Sequence, residues 1–149
     1  MTVDVTSEIE IKRWVPEVAS FATNPDNVTK WYSKIKSVEW KSPRPLRVGT
    51  RIAFVSRFLG RKIVTTYEVM EFVPSERLVM RTLDAAFPME TSYTWKPAEM
   101  GGTLMILRIR RKLDGLMHWF KPLVALAMGY ANRRDLGRLK ALLEQPTDR

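Results

Sequence analysis

Residues 119–144 read WFKPLVALAMGYANRRDLGRLKALLE, apolar on every side in the front half and studded with arginine and lysine in the rear. Wound as a helix at about 100° per residue, the segment puts Val124, Met128, Ala131, Leu139 and Leu142 on one side, flanked by Ala125, Leu136 and Leu143. A stripe of that length needs an apolar partner as long as itself. The preceding chain must supply it, and the kind of partner it supplies decides the fold.

Upstream, the dominant period is two. Val3 to Ile11 alternates, with Val3, Val5, Ile9 and Ile11 as the apolar members, and predicts a first strand. VPEVASFATNPDNVTKWY then changes period. Pro16 suits a first helical turn, Val18, Phe21 and Ala22 share a face, and Asn24 before Pro25 reads as a cap restarting a second short helix through Val28, Trp31 and Tyr32. From Lys34 onward strands return in KSVEW, TRIAFVSRFLG, IVTTYEV, LVMRT, METSYTW and TLMILRIRRK. Turn signals such as LGRK, VPSER and KPAEMGG separate the later ones, so an antiparallel meander is expected. One strand, two short helices, a run of strands and a long terminal helix make an α+β domain whose helix covers the apolar face of the sheet.

Bulk properties agree with one domain spanning residues 1–149. The chain has 45% hydrophobic and 28% charged residues, the proportions of an ordinary globular protein. No run of about eighteen apolar residues is present, and the polar, alternating N-terminus lacks the basic start and apolar core of a signal peptide. A cytoplasmic location is the expectation. There is no cysteine, which removes disulfides, thiolate chemistry and cysteine-based metal sites. The formal charge of +9 invites a nucleic-acid partner, but the 25 Lys and Arg are spread along the chain. The aromatics of the strands also share the parity of core positions, unlike the exposed stacking platforms of single-strand readers. No specific nucleic-acid partner is expected.

The order of elements resembles the helix-grip fold of the START-like (SRPBCC) superfamily. The local wording is similar to its polyketide cyclase/dehydrase and lipid-transport branch. The pieces that carry the likeness are VPEVASFATNPDNVTKWY, VGTRIAF, YEVMEFVPSERLVMRT, YTWKPAEMGGTLMILRI and ANRRDLGRLKALLE, which together cover nearly the whole chain. The resemblance implies a curved antiparallel sheet of about six or seven strands gripping the C-terminal helix, with an apolar cavity between them. It transfers no universal catalytic motif.

Such a cavity would be floored by Phe54, Phe58, Tyr67, Met89, Tyr93, Trp95, Met105 and Leu107, which share strand parity. Trp31 and Tyr32 would close one end. On the lid the small residues Ala125, Ala127 and Ala131, beside Met128, either interdigitate with the large floor residues or leave room for an apolar small-molecule ligand. Burying roughly 200 Å² of guest at ~25 cal/mol per Å² yields about 5 kcal/mol before ordering costs. Tighter binding needs polar help from Tyr67, Tyr93, Thr91 or the Trp95 indole, each of which is also satisfiable by backbone.

Catalytic signals are weak. His118 is the only histidine, and no metal-ligand spacing or cofactor loop is present, so neither metal nor cofactor is expected. Asp135 sits in the inward stripe. There it either forms an ordinary ion pair with Arg134 or Arg138 or, if desolvated in the cavity, serves beside Tyr93 as a general acid. The functional alternatives are a binding or transport protein for a lipid or aromatic polyketide-like molecule, a cyclase- or dehydratase-like enzyme, and a ligand-free interaction module. A second apolar stripe, Trp119, Leu123, Leu126 and Tyr130, lies opposite Met128. It is expected to be covered by loops such as SPRPL and DAAFP, or to serve a homodimer contact or a transient anionic membrane contact.

Overall fold

The computed structural model describes residues 2–83, 88–99, 101–113 and 119–145, apart from the side chain of Phe58. His118 and most of the DAAFP segment lie outside the described residues. The chain begins with β1 (Thr2–Ile11), followed by α1 (Val15–Thr23), a 3₁₀ turn (Pro25–Asn27) and α2 (Val28–Trp31). Six strands come next: β2 (Ile35–Trp40), β3 (Arg51–Phe58), β4 (Arg61–Val73), β5 (Arg77–Leu83), β6 (Met89–Pro97) and β7 (Thr103–Lys112). The long helix α3 (Lys121–Glu144) closes the sequence of elements.

All seven strands form one sheet in the order β1-β7-β6-β5-β4-β3-β2, with every neighbouring pair antiparallel. Strands β2 to β7 are the expected meander, and β1 is added at its far edge against β7. Period-two alternation sends Val69, Leu78, Met80, Tyr93, Trp95, Met105, Leu107 and Ile109 to one face, where they meet Leu136 and Leu139 of α3 and Val18 and Trp31 of the short helices. The architecture is the expected helix-grip fold, one antiparallel sheet with the long terminal helix against its apolar face. β4 runs four residues beyond the alternating IVTTYEV, because a register shift between Val69 and Glu71 admits an extra residue. Phe72 thereby returns to the core side, where it packs with the main cluster.

The helix lies along β1, and its rear half is bolted down by polar contacts. The Lys140 ammonium donates to the Glu10 carbonyl at 2.8 Å and pairs with Glu144 at 2.7 Å. Glu144 in turn accepts the Lys12 N–H at 2.8 Å. The inward face is turned from the one expected: Gly129, Asn132, Asp135, Leu136 and Leu139 are buried, whereas Val124, Met128, Ala131 and Leu142 flank it half-buried. Ala127, expected on the lid's inner side, is exposed. Gly129 faces β1 instead: a Cβ there would lie in ordinary contact with Val5, 3.8 Å from its Cγ1.

One backbone contact ties β1 to the β6–β7 turn. The Thr103 hydroxyl donates to the Arg13 carbonyl at 2.7 Å, and a Cβ on the adjacent Gly102 would sit 2.4 Å from the Ile11 carbonyl oxygen. Backbone cannot step aside as a flexible side chain can. Gly102→Ala is therefore expected to cost about 1–3 kcal/mol, read as a lower urea midpoint at unchanged slope. A midpoint equal to wild type would show that this approach is looser than described.

Candidate functional site

The concave face is an aromatic floor because the strand registers bring matching parities side by side. Tyr93 stands opposite Leu107 on one side and Leu78 on the other, Trp95 opposite Met105, and Tyr67 between Ile52 and Thr82. The rings meet edge-on or tilted: Phe54 and Tyr67 have centroids 5.4 Å apart, Tyr93 and Trp95 5.9 Å. From the short helices, Trp31 stacks on Tyr32 at 4.2 Å and lies 5.9 Å from Tyr93. Trp31, Tyr93, Trp95, Met105, Leu107 and Phe54 are buried, while Tyr67, Met89, Met128 and Ala131 are half-buried. Phe58 ends β3, and the placement of its side chain lies outside the described residues.

Strand parity brings these residues to one face, but it does not tell how their polar ends pair. The Tyr32 and Tyr93 hydroxyls share a hydrogen bond of 3.0 Å, joining α2 to the middle of β6. Nothing in the spacing around Tyr32 names that partner, 61 positions away. Close by, Asp135 is 4% exposed. Its carboxylate accepts the Ser33 N–H at 3.4 Å and lies 4.0 Å from the Arg134 guanidinium. Arg134 donates to the Ser33 hydroxyl at 2.7 Å, and Arg138 to the Lys30 carbonyl at 3.3 Å. Thus the ion pair expected for Asp135 is present, and it belongs to a polar seam that fastens the end of α2 to α3.

Burial dominates the electrostatics of the phenols. It pushes Tyr67 up to about 12 against an opposing interaction with Thr91. It raises Tyr93 further, with the Tyr32 hydrogen bond opposing and the charges of Tyr67 and Asp135 adding to the rise. Tyr32 is held well above the ordinary phenol by burial, then by Tyr93. Such groups stay protonated at neutral pH and offer O–H donors; a general base working near pH 7 needs the opposite displacement. Two further donors, the indole N–H groups of Trp31 and Trp95, are buried with no acceptor among the described residues, as are Ser7 Oγ and Asn132 Nδ2. An orphaned buried donor costs about 1–3 kcal/mol relative to a satisfied one.

Access differs along the helix. Under the rear half, Leu136, Leu139, Ile11 and Met105 are sealed. Under the front half, Val124, Ala125, Met128, Tyr67 and Met89 each keep part of their surface accessible. Two clefts lie elsewhere on the described surface. One of about 320 Å³ is bordered by Asn24, Trp40, Arg44 and Pro45, and one of about 190 Å³ by Arg81, Met89, Arg110 and Lys112. Neither has a wall from α3. Among the described residues no three His, Asp or Glu side chains gather as a metal-ligand set. No described helix is long and apolar enough to cross a membrane.

A family model described as polyketide cyclase / dehydrase and lipid transport matches residues 2–144. No curated protein matches the sequence. Among solved structures, a START superfamily protein from Mycobacterium smegmatis superposes with a TM-score of 0.77 at 16% identity, covering 97% of this chain and 99% of that one. A protein from Thermus thermophilus gives 0.76 at 19%, covering 93% and 94%. The di-domain ARO/CYC BexL from the BE-7585A biosynthetic pathway gives 0.79 at 17% identity. There the match covers 98% of this chain and 51% of that one, so the present chain spans about half of BexL. At these identities the structural likeness carries the fold alone.

Proposed function

The chain belongs to the polyketide cyclase / dehydrase and lipid transport family, and from that premise we propose that it binds or transports an apolar, oxygen-bearing small molecule against the aromatic floor that faces α3 and the short helices. The observation that carries this reading is the pair of indole donors without an acceptor among the described residues, Trp31 and Trp95, beside the buried phenol of Tyr93 and the half-buried Tyr32 and Tyr67 on an otherwise apolar surface. A lipid or aromatic polyketide-like guest presenting a carbonyl or hydroxyl oxygen would satisfy a donor that the protein leaves open. Apolar area then supplies most of the affinity and one or two hydrogen bonds supply orientation. Ala127, being exposed, has no part in this site; Phe54, Tyr67, Met89, Tyr93, Met128 and Ala131 remain its proposed walls.

The Tyr32–Tyr93 pair beside buried Asp135 favours one alternative. In a cyclase- or dehydratase-like enzyme a phenol would donate a proton to a guest held folded in the same place. Mass spectrometry of small molecules carried by the native protein separates the two readings. The expected result is a co-purifying apolar compound containing oxygen, recovered chemically unchanged after incubation, with retention reduced in Tyr93→Phe. Conversion that disappears in Tyr93→Phe or Asp135→Asn would establish the enzyme instead. Absence of any guest, together with no displacement of a bound apolar dye by fatty acids or flat aromatics, would overturn both and leave a ligand-free interaction module.

A further inference from the structure

Eight of the twelve exposed large apolar side chains among the described residues come from two stretches distant in sequence, 59–64 and 119–130, which lie at one end of the molecule; Trp14, Val48, Met70 and Val73 lie elsewhere. α3 runs beside β1 in the same direction, with Gly129 against Val5 and Lys140 against Glu10, so its first turns stand where β1 begins. Strand registers place other elements at the same end. Thr2 pairs with Lys112, Arg111 with Met89, Glu90 with Arg81, and Leu83 with Thr66, beyond which the β3–β4 hairpin continues to its tip. Phe120, just before α3, and Leu123, Leu126 and Tyr130 on it are 51–68% exposed, Leu59 at the tip is 88% exposed, and Val64, paired with Val55 further back along the hairpin, is 53% exposed.

The tip is built against ordinary turn chemistry. Leu59 and Gly60 both have positive φ, 51° and 79°, as a type I′ hairpin turn requires. Asn or Asp tolerates that conformation with a polar side chain, whereas a branched apolar residue there is uncommon. A strained, fully offered leucine has no role in the core. Charge follows the same geography. From Arg57 to Val64 the hairpin carries Arg57, Arg61 and Lys62 and no carboxylate, and from Trp119 to Arg134 the helix carries Lys121, Arg133 and Arg134 and no carboxylate.

We propose that this end, formed by the first turns of α3 and the β3–β4 hairpin, docks on an anionic lipid bilayer. The apolar side chains insert at the headgroup boundary and the surrounding cations face the lipid phosphates. A second copy of the chain suits the surface less well, because a two-fold contact through the same patch would set these cations against one another. The inference does not depend on the interior holding a guest, and none enters its test.

Flotation with phosphatidylcholine vesicles, with and without phosphatidylglycerol, tests it, with light scattering for solution mass. The wild type is expected to remain monomeric and to float only with the anionic vesicles, less so as salt is raised. Leu123→Ser with Leu126→Ser is expected to lower partitioning at least about tenfold, and Arg61→Glu with Lys62→Glu to a similar degree. Leu59→Asn is the informative single variant, since asparagine suits the turn and the hairpin persists while docking weakens. Wild type that ignores both vesicle types would overturn the proposal, as would variants that float unchanged. A mass of two chains without flotation would assign the surface to a homodimer instead.

Discussion

Trp31→Ala is expected to destabilise the fold by about 3–5 kcal/mol, the range for deleting a buried large aromatic. The side chain is fully buried, stacked on Tyr32 at 4.2 Å and lying 5.9 Å from Tyr93. Helix α2 is four residues long and has no side-chain cap of its own. Its position comes from packing and from the seam to Asp135, Arg134 and Arg138. Truncating Trp31 removes the larger of these holds and opens a cavity beneath the Tyr32–Tyr93 bond. Against a typical total of about 5–15 kcal/mol, the loss is a large fraction of stability. In a thermal scan a domain of this size should melt roughly 10 °C lower. Trp31→Phe, which keeps most of the ring contact, should fall less than half as far. A melting point within about 2 °C of wild type for Trp31→Ala would mean that α2 is held by the polar seam alone.

The strands are legible in the sequence because one sheet face is buried and the other is not. In METSYTW and TLMILRI the inward members Thr91, Tyr93, Trp95, Thr103, Met105 and Leu107 are buried, and Met89 at the start of β6 is half-buried. β4 is less legible, since the extra residue near Met70 breaks the alternation that sequence reading relies on. The helix misleads for a related reason. Asp135 reads as inward, but Asn132 looks like a solvent residue and Gly129 has no side chain to count, so an apolar wheel drifts toward Val124 and Met128. Contacts from distant chain correct it: the Ser33 N–H on Asp135, and the side of Gly129 turned to Val5 of β1. Ala127 falls on the wrong side of that wheel because a small apolar residue gives no sign of which way it faces. The second stripe is legible as apolar; Leu123, Leu126 and Tyr130 are indeed exposed, and what they meet is the subject of the vesicle test.

Pairing between hydroxyls lies beyond sequence reading altogether. Parity tells that Tyr93 points inward, but only the fold brings Tyr32 within 3.0 Å of it. The same holds for the indoles of Trp31 and Trp95, which find no acceptor among the described residues of the assembled floor. It is on these polar details, more than on the architecture, that the proposed binding of an oxygen-bearing guest rests.

Alkaline solution should unfold this protein abruptly, through its interior phenols. Three of its four tyrosines, Tyr32, Tyr67 and Tyr93, have folded-state values raised above the ordinary 10.0, chiefly by burial. The neutral phenols are at home in the folded interior and the phenolates are not, so their stabilising contribution is complete below about pH 10, where both states are protonated. As pH rises from about 10 toward the raised folded values, the unfolded chain gives up these protons first and stability falls. Each phenol contributes a slope of about 1.4 kcal/mol per pH unit, so three together approach ~4 kcal/mol per unit. Two units of such a slope remove about 8 kcal/mol, comparable with the whole stability of a typical domain. Tyrosinate absorbance and far-ultraviolet circular dichroism are therefore expected to change together, in one cooperative step between about pH 11 and 12. Tyr67→Phe keeps the ring against Phe54 and removes one ionisable group, so its stability should fall less steeply, by about 1.4 kcal/mol per pH unit, and its midpoint should move to higher pH. If all four tyrosines instead ionise near pH 10 with the dichroism unchanged, the phenols are already wet, and the proposed guest site loses the dry donors it rests on.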